Sequence, residues 1–177
     1  MDEANKNGKA KAAKTAFDAA ASYIANRPRT IAETRAKLKE KGYDSEEIEF
    51  AISSMIDYNY LDDYSYCMAY FRYAYSKQRG RRRIVRELME KGVDRELISQ
   101  AYDDFCDEEH IDEYAMAIEI ARGELRSALG QSKLQIDEKL VARIGRKLDS
   151  RGFAMDDIYK LLAEIRRWKD IEDIQEQ

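Results

Sequence analysis

The sequence predicts an all-α protein built from three tandem helical units. A five-residue phrase ending in glycine occurs three times, at residues 38–42, 88–92 and 148–152, and a second apolar stretch follows each copy. The 177 residues include one proline and many strong helix formers. Self-similarity at intervals of 50 and 60 residues indicates stacked supersecondary units, since none can bury its apolar face alone. Such a stack usually displays a surface and seldom encloses a catalytic pocket.

The first unit is assigned to residues 14–60, after a segment, residues 1–13, that lacks apolar periodicity and is expected to be disordered. Its first helix, over 16–26, should end before Pro28, because the residue preceding a proline is pushed out of helical geometry. Two further helices are predicted from their start and stop signals. These are the capping-box spacings Thr30 to Glu33 and Asp44 to Glu47, and the helix-closing Gly42.

The second unit, residues 61–109, and the third, residues 110–168, repeat this plan. The predicted caps and stops of the second unit are Asp62 or Asp63, Gly80, Gly92 and Asp94. The third unit should open with a longer helix, about 112–129, followed by a looser connection over 130–135. Ala154 stands where the other units have a capping aspartate. Residues 169–177 are expected to form a weakly ordered acidic tail.

Composition and the rarity of reactive residues argue against several classes of protein. No apolar run approaches the roughly 18 residues of a membrane-spanning helix, and the first residues lack the apolar core of a signal peptide. Cys67 and Cys106 are expected to be reduced core residues, as in a cytoplasmic protein. His110 is the only histidine, and there is no glycine-rich phosphate loop. We therefore expect no enzyme activity, no cofactor and no metal site.

The most informative stretch is the basic segment, residues 72–86, which holds seven cations and no acid in a chain of net charge −4. The cations are Arg72, Lys77, Arg79, Arg81, Arg82, Arg83 and Arg86. On a helix that begins near Gly80, Ile84 and Leu88 share one face, so Arg82, Arg83 and Arg86 are expected to project outward.

The cations that directly follow Gly80, among them Arg82 and Arg83, stand in the first turn of this helix, where they oppose the helix dipole. Because local rules are most often broken where function requires it, a binding role for an anionic partner is favoured. The alternative is a solvated face neutralised by the acidic run at residues 103–113.

Tyrosines crowd the stretch before the basic segment. Tyr66, Tyr70 and Tyr73 have the spacing of one buried helix face and are expected to pack in the core. Tyr64 and Tyr75 are the expected exposed contacts, since tyrosine beside arginine is typical of interface hot spots.

The middle unit contains a specific pattern of residues. It reads Leu61-Asp62-Asp63-x-x-Tyr66-Cys67, then Gly80-x-x-Arg83-Ile84-x-x-Glu87-Leu88-x-x-Lys91-Gly92. This pattern resembles that of the RecX family, which is Leu-Asp-Asp, two variable residues, Phe-Ala, a basic stretch, then Gly-x-x-x-Ile-x-x-Glu-Leu-x-x-Lys-Gly. The resemblance extends over about residues 16–168. Tyr66 and Cys67 replace Phe-Ala, Arg81 replaces a frequent proline, and Ala74 replaces a frequent arginine.

The resemblance implies tandem three-helix modules that form an elongated, curved molecule. It also implies a cytoplasmic, monomeric regulator that binds along the groove of the RecA nucleoprotein filament and typically inhibits it, affecting recombination and the SOS response. Arg72, Lys77, Arg82 and Arg83 align with the family's basic stretch. An autonomous nucleic-acid-binding module is the alternative, although the acidic total charge predicts only weak direct DNA binding.

Overall fold

The computed structural model describes residues 14–129 and 136–167, and every regular element in these two ranges is an α-helix. The predicted all-α fold is therefore confirmed. The expected disordered segment 1–13, the looser connection 130–135 and the acidic tail 169–177 lie outside the described residues. None of the described helices is long and apolar enough to cross a membrane.

The chain divides after Asp62 into two compact units. The first contains α1 (Ala16–Ile24), α2 (Ile31–Glu40) and α3 (Ser45–Asp57). Their apolar faces enclose a core that includes Leu38, Ile52 and Met55. Both predicted capping boxes are present, headed by Thr30 and Asp44, and Thr15 heads a third that was not predicted. Helix α1 ends two residues before the predicted limit of 26.

The second unit contains six described helices in two groups of three. The middle module consists of α4 (Asp63–Ser76), α5 (Arg81–Glu90) and α6 (Arg95–Glu109), and the last module of α7 (Glu113–Leu129), α8 (Glu138–Arg151) and α9 (Met155–Ile165). Each module has its own apolar cluster. Phe71, Leu88 and Phe105 are central to the middle one, and Leu125, Ile144 and Leu148 to the last.

The three repeated glycines adopt the left-handed backbone conformation that the sequence predicts. Their φ angles are +88° at Gly42, +80° at Gly92 and +89° at Gly152, where a residue with a side chain would be strained. The predictions for the N-termini of α6 and α9 also hold. Asp94 accepts hydrogen bonds from two backbone N–H groups of α6, whereas Ala154 provides no side-chain cap for α9.

The two modules of the second unit meet where the N-terminus of α5 faces the C-terminus of α8. The Gly80 N–H donates to the Arg151 carbonyl at 2.8 Å, and the Arg82 N–H donates to the Gly152 carbonyl at 3.1 Å. Gly80 has an ordinary φ of −86°, so its conformation does not require glycine. The close approach does, since a Cβ on Gly80 would lie 2.6 Å from the Gly152 carbonyl carbon.

Candidate interaction surface

Two arginines of the basic segment share one carboxylate. Glu87 accepts hydrogen bonds from Arg79 Nη1 at 2.9 Å and from Arg83 Nε at 2.8 Å, and the Tyr70 hydroxyl donates to it at 2.8 Å. Burial alone would raise the pKa of Glu87, but these hydrogen bonds and the two guanidinium charges outweigh it and hold the pKa below its usual value. Burial and the hydrogen bond to Glu87 raise the pKa of Tyr70 to about 12.

Arg82 and Arg83 also reach the last module. Arg82 Nη1 donates to Asp149 Oδ1 and to the Phe153 carbonyl, both at 3.1 Å. Arg83 Nη1 donates to the Ser150 carbonyl at 3.4 Å. Arg82 is exposed, as expected, and Arg83 is only partly exposed, but both guanidinium groups are bound to the last module. Their position at the N-terminus of α5 has a structural reason, because the carbonyl end of α8 lies against it and attracts cations.

Arg72 is the one cation of the basic segment whose side chain pairs with the acidic run 103–113 in the described structure. Its Nε donates to Glu109 at 2.9 Å and its Nη2 to Glu108 at 3.0 Å. The neutralised-face alternative thus holds for Arg72. Arg86 does project outward as expected, and its pair with Glu90 is long, at 3.8 Å, with both side chains 67% exposed.

Lys77 and Arg81 make no ion pair with any residue that the structure describes. Lys77 Nζ lies 5.9 Å from the centre of the Tyr73 ring. The Arg81 guanidinium lies 4.1 Å from the centre of the Tyr102 ring, a cation–π contact. Together with Arg86, these two side chains are the cations of the basic segment best placed to meet an anionic partner.

The tyrosine predictions are wrong for Tyr73, which is exposed, and for Tyr75, which is buried, whereas Tyr66 and Tyr70 pack against the middle apolar cluster as expected. The buried stripe of α4 runs through Phe71, Ala74 and Tyr75. Tyr75 is only 7% exposed, and its hydroxyl donates to Glu113 at 2.6 Å. Burial and this bond raise its pKa far above the usual value. It can bury its hydroxyl because α7 supplies an acceptor, so it is not available as an exposed contact.

Tyr73 is the exposed tyrosine of α4 instead, with 50% of its surface accessible. Tyr66 and Tyr70 are half-buried and stack at 6.1 Å. Tyr64 is also half-buried, and its hydroxyl donates to Asp104 at 2.8 Å. Both helix faces are rich in tyrosine, so periodicity alone does not reveal which face is inside.

A basic basin of about 440 Å³ lies where α4, α5 and α8 come together. From the basic segment it takes Lys77, Arg79 and Arg83, and Tyr73 lines its wall. The last module adds Lys147 and Arg151, which sequence reasoning missed. The available signal was the run of cations in the last turns of α8, but their meeting with the basic segment depends on the packing of the two modules.

Reactive side chains form no site in the part of the chain that is described. No three His, Cys, Asp or Glu side chains there form a group suited to a metal ion. Cys67 is buried and Cys106 half-buried, both as free thiols. His110 caps the C-terminus of α6 in the left-handed conformation, a structural position.

Comparison with protein-family models gives two matches, which follow one another along the chain. Residues 16–55 match the first three-helix domain of RecX, and residues 62–101 match the second. These matches correspond to α1–α3 and to the greater part of the middle module. The second match includes Lys77, Arg81 and Arg86.

Curated relatives and solved structures give the same family name. The chain is 38% identical over 71 residues to Regulatory protein RecX of Vibrio parahaemolyticus, and 39% identical over 71 residues to that of Vibrio campbellii. These stretches cover 40% of this chain and 46% of each relative. A crystal structure of RecX from Lactobacillus salivarius superimposes with a TM-score of 0.69 at 22% identity, over 85% of this chain and 94% of that one. A second RecX crystal structure gives 0.66 at 21% identity, over 84% and 70%. The solved structures support the fold.

Proposed function

Because the chain belongs to the RecX family, we propose that it binds the RecA recombinase on its nucleoprotein filament and inhibits its ATPase and strand-exchange activities. In this role it regulates DNA repair and the SOS response. It acts in the cytoplasm as a monomer, by binding alone, and catalyses no reaction of its own.

The observation that carries this proposal is the ordered match of both RecX three-helix domains. The second match contains the outward-facing cations Lys77, Arg81 and Arg86. Exposed cations of this kind suit a partner whose surface combines acidic side chains and phosphate groups. The total charge of −4 favours such a mixed partner over naked nucleic acid.

The test is a RecA ATPase assay on single-stranded DNA, with and without the full chain, paired with a strand-exchange assay. We expect both activities to fall as the chain is added. The inhibition should weaken at higher salt, because exposed charge pairs are screened over a Debye length of about 8 Å at physiological ionic strength. Unchanged activity at every ratio of the two proteins would contradict the proposal.

Charge reversal on α5 locates the contact. Arg86→Glu should reduce inhibition, because Arg86 is exposed and only loosely paired. Arg146→Glu is the matched control, since Arg146 is an exposed arginine of α8 outside the basic basin. Equal inhibition by the two variants would exclude Arg86 as a contact without affecting the rest of the proposal.

An autonomous nucleic-acid-binding module is the second candidate, and the basic basin favours it. Tyr73 offers an exposed ring beside several cations, a combination that can stack a base next to its phosphates. We expect binding to DNA without RecA to be weak and to disappear at moderate salt. Nanomolar duplex binding at physiological ionic strength would make this candidate the better one.

A further inference from the structure

The middle module has a second concave surface, the α5–α6 groove, with a volume of about 480 Å³. Its rim carries Arg81 and Arg82 from α5 and Arg95 from α6, and its floor is formed by Val85, Ile98 and Tyr102. None of the described residues that line it is acidic. The groove therefore combines a positive rim with an apolar floor.

Two of the rim arginines form no ion pair within the described structure. Arg95 is exposed and makes no ion pair with a described residue, and Arg81 rests on the Tyr102 ring at 4.1 Å. Glu113 accepts the Arg81 N–H at 2.6 Å, and the Arg81 charge also acts to lower the pKa of Glu113. Arg82 is engaged with Asp149 at 3.1 Å. The groove thus offers two guanidinium groups to a ligand.

The floor identifies the class of ligand. A phosphodiester chain would place its hydrated charges over the aliphatic side chains of Val85 and Ile98, and the Arg81 guanidinium already covers one face of the Tyr102 ring. Ile98 and Tyr102 are already buried, so an apolar side chain would instead cover mainly the half-buried Val85 and remove it from water. Acidic neighbours on the same peptide would reach the rim. A peptide that carries an apolar side chain between acidic side chains would contact both the floor and the rim of the groove.

We propose that the α5–α6 groove binds an acidic peptide segment that presents one apolar side chain between carboxylates, and that this segment belongs to the recombinase. The second half of the proposal rests on the proposed function. The first half concerns only this chain and is testable without the recombinase.

The first measurement uses the full chain and a fluorescein-labelled peptide, Gly-Asp-Glu-Leu-Glu-Asp-Gly, as the probe in fluorescence polarisation. The same peptide with serine in place of leucine keeps the charge and lacks the apolar anchor. We expect the leucine peptide to bind and the serine peptide to bind about tenfold more weakly, the ratio that corresponds to about 1.4 kcal/mol of lost burial.

The second measurement repeats the titration with Arg95→Glu, using Arg146→Glu as the control. Arg95→Glu should weaken peptide binding at least about tenfold, because it replaces an attraction with a repulsion on the rim. The fold should survive, since an acid in the first turn of α6 favours the helix dipole. Equal affinity for the two variants, or for the two peptides, would overturn the groove proposal.

Nuclear magnetic resonance of the labelled full chain shows whether the groove binds the peptide or a nucleic acid. The leucine peptide should shift the amide signals of Val85, Ile98 and Tyr102, and an oligothymidine strand should not. If the strand alone shifts them, the groove is a nucleic-acid site and the proposal is wrong. If the peptide binds there but Arg95→Glu inhibits RecA as well as Arg146→Glu does, the groove serves another acidic partner, and the recombinase half of the proposal is wrong.

Discussion

Gly80 and Gly152 pack backbone against backbone at the joint between the middle and last modules. A Cβ on Gly80 would lie 2.6 Å from the Gly152 carbonyl, and a Cβ on Gly152 would lie 2.3 Å from Arg83 Cβ. Neither neighbour is the flexible end of a side chain. Gly80 and Gly152 therefore form one contact between the middle and last modules, and the backbone bonds from the Gly80 N–H to the Arg151 carbonyl and from the Arg82 N–H to the Gly152 carbonyl flank it.

Replacing Gly80 with alanine should destabilise the second unit. The added methyl group has no space, and overpacking of this kind costs about 1–3 kcal/mol. Gly123→Ala is the control, because a Cβ there meets nothing within 4 Å and alanine in a helix is more stable than glycine by about 0.5–1 kcal/mol. Thermal unfolding followed by circular dichroism should show opposite shifts in Tm. A Gly80→Ala variant as stable as the wild type would mean that the two backbones are not in contact.

Glu87→Ala should destabilise the middle module more than Glu90→Ala on the same helix. Loss of Glu87 leaves Arg79, Arg83 and the Tyr70 hydroxyl without their shared acceptor, at a cost of about 1–3 kcal/mol. Glu90 forms only a long, exposed pair with Arg86, and such pairs contribute about 0–1 kcal/mol. Urea denaturation of both variants measures the difference. Equal losses would show that Glu87 does not organise this cluster.

Leu88→Ala tests whether the repeated phrase is anchored in the core. Leu88 is fully buried, and truncation of a buried leucine costs about 2–5 kcal/mol. Its neighbour Met89 is 47% exposed, so Met89→Ala should change the free energy of unfolding by less than about 1 kcal/mol. Similar values for both variants in urea denaturation would contradict the assigned register of α5.

Glu113 should make stability fall as the pH rises. Burial, aided by the nearby Asp157 charge, raises the pKa of Glu113 above its ordinary 4.5, despite the hydrogen bonds from Tyr75 and the Arg81 N–H. The folded protein then holds this proton more tightly than the unfolded chain does. The contribution of Glu113 to stability is therefore largest below pH 4.5 and declines as the pH rises through the raised folded pKa.

Glu113→Gln removes this titration and keeps an oxygen acceptor for both donors. Relative to the wild type, the variant should gain stability as the pH is raised from acid to neutral. Urea denaturation of both proteins over a pH series measures this difference, in which the titrations of other groups cancel. A difference that does not change with pH would show that Glu113 is not titrating in a buried environment.

Much of the fold was predictable because its signals are local. The left-handed glycines at the ends of α2, α5 and α8, the capping boxes at Thr30 and Asp44, and the missing cap at Ala154 each depend on a few neighbouring residues. The buried positions of Ile84 and Leu88 followed from helical spacing.

The candidate site was less predictable because it depends on contacts between distant segments. Arg82 and Arg83 contact the C-terminal end of α8, and no local sequence pattern predicts these contacts. Tyr75 is buried because α7 brings Glu113 to its hydroxyl. Arg95 joins the groove only through the packing of α6 on α5. In each case the partner lies on another helix, so the sequence near the residue does not predict the contact.

The most direct test of the central claim is co-sedimentation of the full chain with RecA filaments assembled on single-stranded DNA. The two comparison mixtures contain RecA without DNA, and the DNA without RecA. A RecX-type regulator should sediment with the filament and, at physiological salt, bind the bare DNA far more weakly. A chain that stays in the supernatant with filaments, or that binds the bare DNA equally well, would contradict the account.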